Sequence, residues 1–139
     1  MTENIHATAV CFDGKAVLLI GEPGSGKSDL ALRLIMNKNA VLIADDRADI
    51  DNVNGVLKVS CPQNIQGLLE VRGIGICKMP FVPEADVKMV VRLVSPELKI
   101  ERLPEKETIN LCGVELPLIN INAFEISAVD KIIIAYKSV

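Results

Sequence analysis

Lys15-Ala16-Val17-Leu18-Leu19-Ile20 runs straight into Gly21-Glu22-Pro23-Gly24-Ser25-Gly26-Lys27-Ser28, and Asp29-Leu30-Ala31-Leu32-Arg33-Leu34-Ile35-Met36 follows. The three pieces read as an apolar strand, a G-x-x-x-x-G-K-[ST] loop and a helix, in the order that a phosphate-binding loop requires. Glycines let the backbone wrap an anion at dihedrals other residues avoid. Amides at the start of the helix then face that anion, with the positive end of the helix dipole behind them. In this reading Gly21, Glu22, Pro23, Gly24, Ser25, Gly26, Lys27 and Ser28 cradle a nucleoside triphosphate. Lys27 reaches the β- and γ-phosphates, and the Ser28 hydroxyl ligates Mg2+.

Working outward, Ala7 to Phe12 and Lys15 to Ile20 are strand-like runs on either side of Asp13-Gly14. Asp-Gly between such runs is a two-residue hairpin signal, because both turn positions need positive φ. The strand entering the loop is therefore expected as the second arm of an antiparallel hairpin. The commonest phosphate-loop folds instead reach that strand through helical crossovers in a parallel sheet. The spacing predicts a helix from about Gly26 to Asn37, stopping at Asn37-Lys38-Asn39. Further strands are expected over Ala40–Ala44, Val56–Cys61 (after a turn at 51–55), Leu68–Ile76, Val87–Leu93 and about Glu115–Asn122. Pro62 opens a helical turn, and Met79 to Glu84 reads as a proline-flanked loop. Ala123 to Tyr136 reads as an amphipathic helix, although Ile132-Ile133-Ile134 suits a strand equally well. The chain thus reads as α/β, a single-domain mixed sheet over residues 1–139 with about two principal helices.

Half the residues are apolar but only three Phe and one Tyr are present, so the core is built mainly from Val, Ile, Leu and Ala. A net charge of −3 gives no bulk basic surface, which argues against nucleic acid as a partner. Cys11, Cys61, Cys77 and Cys112 lack C-x-x-C spacing and read as small buried hydrophobes in a reducing compartment. The amino terminus has no basic start before an apolar run, and no apolar run approaches a membrane span. The expectation is a cytoplasmic protein with no membrane contact.

Binding a nucleotide is not yet a reaction. Phosphoryl transfer also needs in-line positioning and a group that takes the proton of the attacking hydroxyl. Asp45-Asp46, at the end of a short buried strand, is the candidate: one carboxylate for Mg2+, directly or through water, and the other for the proton. Asp49 and Asp51 read as solvated turn residues. Glu70 and Arg72 are two apart on an expected strand and so share a face, amid apolar Leu69, Val71 and Ile74. Gly73 and Gly75 suggest close approach by a ligand or another backbone. His6 and Arg102 read as surface residues on their own terms.

Taken together, these stretches resemble the catalytic domain of HPr kinase/phosphorylase, which phosphorylates a serine of the small carrier HPr. The likeness runs from about His6 to Leu103. It rests on His6, the glycine loop, Ala44-Asp45-Asp46, the signature Leu68-Leu69-Glu70-Val71-Arg72-Gly73-Ile74-Gly75-Ile76, and Arg102-Leu103. The resemblance implies ATP as donor and Mg2+ held by Ser28 and Glu70, with Asp46 as general base. It adds Lys27, His6 and Arg102 to the catalytic set, Arg102 neutralising charge on the transferred group. It also implies a phosphoenolpyruvate carboxykinase-like fold, an HPr-like phosphocarrier protein as partner, and a homo-oligomer, commonly a hexamer.

Three departures from the family pattern shape the expectation. The N-terminal domain of longer members is expected to be absent, as in forms similar to those of alphaproteobacteria. Lys78-Met79-Pro80-Phe81-Val82-Pro83-Glu84 replaces a glycine-rich loop. Pro117-Leu118-Ile119-Asn120-Ile121-Asn122 aligns with an arginine-bearing element linked to the phosphorylase reaction, so phosphorylase activity is expected to be weak or absent. Alternative readings are a kinase of a small molecule such as free serine, and a nucleotide-sensing module without turnover.

Overall fold

The Asp13-Gly14 hairpin forms as its sequence demands. In a computed structural model describing residues 2–139, β1 (Thr2–Phe12) pairs antiparallel with β2 (Lys15–Ile20). Asp13 (φ 50°) and Gly14 (φ 81°) supply the two positive-φ positions of the turn. The other edge of β2 pairs in parallel with β8 (Glu84–Leu93), so the strand that enters the glycine loop has one antiparallel and one parallel neighbour.

Around this centre the sheet closes on itself. β1 pairs with β4 (Arg47–Val53), β4 with β5 (Val56–Ser60), β5 with β8, and β8 returns to β2. A core drawn from all five strands fills the ring, and Ala7, Ala9, Ala16 and Ala48 keep it narrow beside Leu18, Ile50, Val59 and Val90. The ring is extended from β8 by β10 (Val114–Ile121), parallel, and then by β9 (Glu107–Leu111), antiparallel. The expectation of one mixed sheet with two helices is met.

Alternate residues of β2 point the other way, because side chains switch faces along a strand. Val17 and Leu19 join Val10, Met89 and Val91 in a second core beneath α1 (Lys27–Lys38) and α2 (Ala128–Ser138). Leu30 and Leu34 of α1 and Ile132 of α2 are almost wholly buried there. Each such burial contributes about 1.5–3 kcal/mol, which outweighs the few tenths that intrinsic propensity adds per residue. α1 stops where Asn39 turns left-handed (φ 58°) and hands its N–H to the Leu34 carbonyl. The Ile132-Ile133-Ile134 run is helical: Ile132 and Tyr136 bury one face while Ile134 stays exposed.

β8 alternates only in part for a local reason. Ala16 pairs with Val87 but Val17 pairs with Met89, so Lys88 is an extra residue in a bulge. Its ammonium lies 4.1 Å from the centre of the Tyr136 ring.

Several expectations need correction. Leu68–Ile76 is not one strand but a hairpin of β6 (Leu68–Val71) and β7 (Gly75–Lys78). The Ile74 N–H donates to the Val71 carbonyl, and Gly73 and Gly75 take φ of 85° and 126°. A Cβ at either glycine would meet nothing within 4 Å, so they serve the turn rather than a close approach. Asp49 and Asp51 lie within β4, and Asp49 accepts a hydrogen bond from Asn4 at 2.8 Å. β9 was not foreseen; its turn to β10 uses Cys112 (φ 52°) and Gly113. Of the cysteines, all free, Cys61 alone is fully buried, while Cys11, Cys77 and Cys112 are partly exposed. The segment at 79–84 is anchored rather than loose. Met79 donates to the Gly67 carbonyl at 2.7 Å, and Val82 to that of Leu42 at 3.0 Å.

Candidate active site

β3 (Val41–Ala44) and β4 are two halves of one ladder along β1. The pairs Ala9–Ala44 and His6–Arg47 keep a common register, which sets Thr8 and Ala7 opposite Asp45 and Asp46. The ladder breaks at that point because Asp46 adopts a left-handed backbone, φ 68°. Such a conformation at a non-glycine residue costs of order 1 kcal/mol or more and needs support from its surroundings. Three hydrogen bonds give that support. Ala7 N–H donates to the Asp46 carbonyl (3.2 Å), Arg47 N–H to the Asp45 carbonyl (2.8 Å), and Asp46 N–H to Thr8 Oγ1 (3.3 Å).

The two carboxylates at this break have different surroundings. Asp45 is buried, and its Oδ1 accepts from Ser28 Oγ at 2.6 Å and from Thr8 Oγ1 at 3.0 Å. Its Oδ2 accepts from the Glu70 backbone N–H at 3.0 Å. One buried carboxylate therefore ties the glycine loop, β1 and β6 together. Asp46, by contrast, is exposed to the clefts on either side.

The 21–28 loop is held in shape from within. Lys27, only 8% exposed, donates to the carbonyls of Gly21 (2.8 Å) and Glu22 (3.1 Å). Two of its three N–H donors are used in this way, and the third is left for a ligand. Gly26 precedes α1 with φ 99°, and a Cβ there would come within 3.2 Å of the Ala123 Cβ. No side chain caps the start of α1. Ser25 Oγ is buried without a hydrogen-bond partner. An uncapped helix start and an orphaned hydroxyl fit an anion that brings its own acceptors.

A cleft of 360 Å³ opens at this loop, lined by Gly24, Gly26, Lys27, Ser28, Asp46, Glu70 and Arg72 among others. A second, of 380 Å³, is walled by Ile65, Leu68 and Ile76, and it shares Ser28, Asp46 and Glu70 with the first. Asp46 thus stands between a cation-bearing cleft and one that combines this apolar wall with Asp45, Asp46 and Glu70. Ser28 and Glu70, expected as Mg2+ ligands, face both. Among the described residues no three His, Cys, Asp or Glu side chains converge as a ready-made metal cage. That suits Mg2+, which takes one or two protein oxygens together with phosphate oxygens and water.

His6 is exposed on β1 beside the Asp46 corner, paired with Arg47, and lines neither cleft. Arg102 sits exposed in the 94–106 connection and lines neither cleft. Sequence reasoning missed the hub role of Asp45 and the presence of Thr8 at the corner. A buried threonine opposite an Asp pair becomes visible only once strand register is known. Near the hub, burial first, then the charges of Asp49 and Asp45, pushes the Cys61 thiol up to about 11.

Residues 1–137 match the model of the family described as HPr Serine kinase C-terminal domain. The chain is 35% identical over 131 residues to the HPr kinase/phosphorylase of Brevibacillus brevis, covering 86% of this chain and 42% of that protein. It is 37% identical over 113 residues to the HPr kinase/phosphorylase of Bordetella pertussis, covering 74% of this chain and 36% of that protein. The match therefore spans about two-fifths of these relatives' length. Among solved structures, the HPr(Ser) kinase/phosphatase of Coxiella burnetii superposes with a TM-score of 0.81 at 28% identity, covering 98% of this chain and 94% of that one. Together with the loop, the Asp pair and the signature hairpin, these matches place the chain in the HPr serine kinase C-terminal domain family.

Proposed function

We propose that this chain is an ATP-dependent serine kinase catalytic domain acting on an HPr-like phosphocarrier protein. The observation that carries the reading is the place of Asp46, a carboxylate facing two adjoining clefts that share Ser28, Asp46 and Glu70. One cleft offers Lys27, Arg72 and the open start of α1 to phosphates. The other offers an apolar wall to the residues around an acceptor serine.

In the reaction, Asp46 accepts the proton of the serine hydroxyl as that oxygen forms its bond to the γ-phosphorus, and the bond to the β-phosphate oxygen breaks to release ADP. Lys27 keeps its hold on the loop carbonyls and offers its remaining N–H to the phosphates. Arg72, at the same cleft, adds a second cation where charge spreads over the transferred group. Asp45 accepts the hydrogen bond of the Ser28 hydroxyl, so the lone pairs of Ser28 Oγ are free for a cation. Mg2+, held by Ser28 and Glu70, would supply neutralisation of the phosphate charge. The parts given by resemblance to His6 and Arg102 belong to this proposal as well. Neither residue reaches the clefts from its own position, so each would act through substrate docking or a neighbouring copy.

The same proposal includes a cytoplasmic homo-oligomer, a hexamer by resemblance, and a phosphoenolpyruvate carboxykinase-like architecture. The loop strand with one antiparallel and one parallel neighbour supports that architecture. Among the described residues no helix is long and apolar enough to cross a membrane. Phosphorylase activity is proposed to be weak. Leu118 to Ile121 lie in β10, and Asn120 is bonded to Arg92 and Glu107 rather than free for phosphate. The test is incubation of the purified chain with labelled ATP and, separately, HPr and free serine. Label on a serine of HPr is the expected result. Label on free serine alone, or on neither, would overturn the reading.

A further inference from the structure

The structure assigns to Thr8 the role of positioning residue for the Asp45–Asp46 corner, a role that rests on Asp46 being the base proposed above. Thr8 is fully buried, and it is one of only three buried polar or charged residues among those described, with Lys27 and Asp45. A buried hydroxyl is retained only where its bonds are made. Its bonds here go to the two halves of the acidic pair. The Oγ1–H donates to Asp45 Oδ1 at 3.0 Å, and the same oxygen accepts the Asp46 N–H at 3.3 Å.

Both contacts replace something the broken ladder has lost. With Asp46 at φ 68°, its N–H no longer points at a backbone carbonyl of β1, and the side-chain oxygen of Thr8 takes that place. Thr8 lies directly across from Asp45 in the β1 register, so a single short side chain spans the gap without leaving its strand. The donor half of the hydroxyl fixes which way the Asp45 carboxylate turns. Through Asp45 Oδ1 it also fixes the orientation of Ser28 Oγ, which donates to the same oxygen at 2.6 Å. One hydroxyl therefore sets the backbone of Asp46 and, one bond further, the hydroxyl at the end of the glycine loop. Thr8 touches neither cleft. It acts through its neighbours.

Valine in place of threonine keeps the shape and removes both bonds, whereas serine keeps the hydroxyl and removes a methyl group. Two readouts separate positioning from packing. The first is amide hydrogen exchange at Asp46 in the nucleotide-free protein. Thr8→Val should speed exchange of that N–H about fivefold to tenfold, the equivalent of one lost hydrogen bond, while Thr8→Ser should leave it near the wild-type rate. The second is transfer to the acceptor. Thr8→Val should lower kcat at least about tenfold with the KM for ATP little changed, and Thr8→Ser should restore most of it. Equal losses in both variants would show that the methyl packing matters and the hydroxyl does not, and would overturn the assignment. Unchanged Asp46 exchange in Thr8→Val would overturn it as well. If the wild-type chain transfers phosphate to no acceptor, the kinase reading fails. The exchange contrast between Val and Ser then decides the role of Thr8 by itself.

Discussion

Asp45→Asn probes the hub, and the structure lets its cost be worked out. The carboxylate accepts three hydrogen bonds, from Ser28 Oγ, Thr8 Oγ1 and Glu70 N–H. A carboxamide has one acceptor oxygen, and the Glu70 backbone N–H cannot turn away, so the oxygen must stay on that side. The NH2 group then faces Ser28 and Thr8, whose hydroxyls can rotate to accept. The buried Thr8 O–H then loses its acceptor, and three charge-assisted bonds become neutral ones at about 1 kcal/mol each. Relief of carboxylate desolvation offsets part of this. The net loss is about 1–3 kcal/mol, and the melting temperature falls by roughly 2–10 °C for a chain of this size.

The same geometry predicts a selective binding defect. In the native hub Ser28 donates its hydrogen bond to Asp45, which leaves its lone pairs for a cation. In the Asn variant Ser28 accepts a proton, and one lone pair is spent. Calorimetric titration should therefore show ATP binding without magnesium little changed, and the gain from added magnesium largely lost. Thermal melting gives the stability arm. A melting temperature within about 1 °C of wild type, together with an unchanged magnesium gain, would refute the hub assignment.

Lys27→Ala removes the buried ammonium of the glycine loop, and ATP affinity measured by calorimetry should fall about 10- to 150-fold, the worth of one charge-assisted contact. Asp46→Asn should leave ATP binding within a few-fold of wild type while transfer to a saturating acceptor drops by about 10²–10⁴, as read by label incorporation. The reverse reaction, presented with phosphorylated carrier and inorganic phosphate, should release pyrophosphate more slowly than the forward rate; equal rates would contradict the role given to β10. The Cys61 thiol is raised from its ordinary 9.0 to about 11, chiefly by burial and then by Asp49 and Asp45. The folded state therefore holds that proton more tightly, and the stabilisation is full below the ordinary value and lost as pH climbs through the window to about 11. Cys61→Ala should flatten the stability profile over that window, as measured by urea unfolding.

Much of this was legible in the sequence because the signals were local. Asp13-Gly14 set a hairpin, the glycine loop joined β2 to α1, and Asn39 ended the helix through left-handed geometry. The β6–β7 hairpin is hidden because apolar residues recur from Leu68 through Ile76 without a polar turn cluster, and the glycines between them admit two explanations. Only the turn bond from Ile74 to Val71 decides between them. The broken alternation of β8 needed the Lys88 bulge, which depends on register against β2. The closed ring was out of reach for the same reason. Strand pairing joins residues far apart in sequence, such as Leu18 and Val90, and a period of two fixes faces but not neighbours.

The site shows the same division. The closeness of Lys27 and Ser28 to the glycine loop was readable from spacing, since all of it lies within eight consecutive residues. The division of labour between Asp45 and Asp46 was not, because the residue pair itself is symmetric in sequence. What separates them is their surroundings: Asp45 is buried among three donors, and Asp46 is exposed beside it on a left-handed backbone. The corner lies between two strands paired to β1, so three hydrogen bonds fix the Asp45 carboxylate and three more hold the backbone of the corner, the kind of support a precisely placed group requires. A variant that let Asp46 relax would give up the hydrogen bonds at Ala7, Arg47 and Thr8 that hold the corner, and the carboxylate proposed as the base would lose its fixed place between the two clefts.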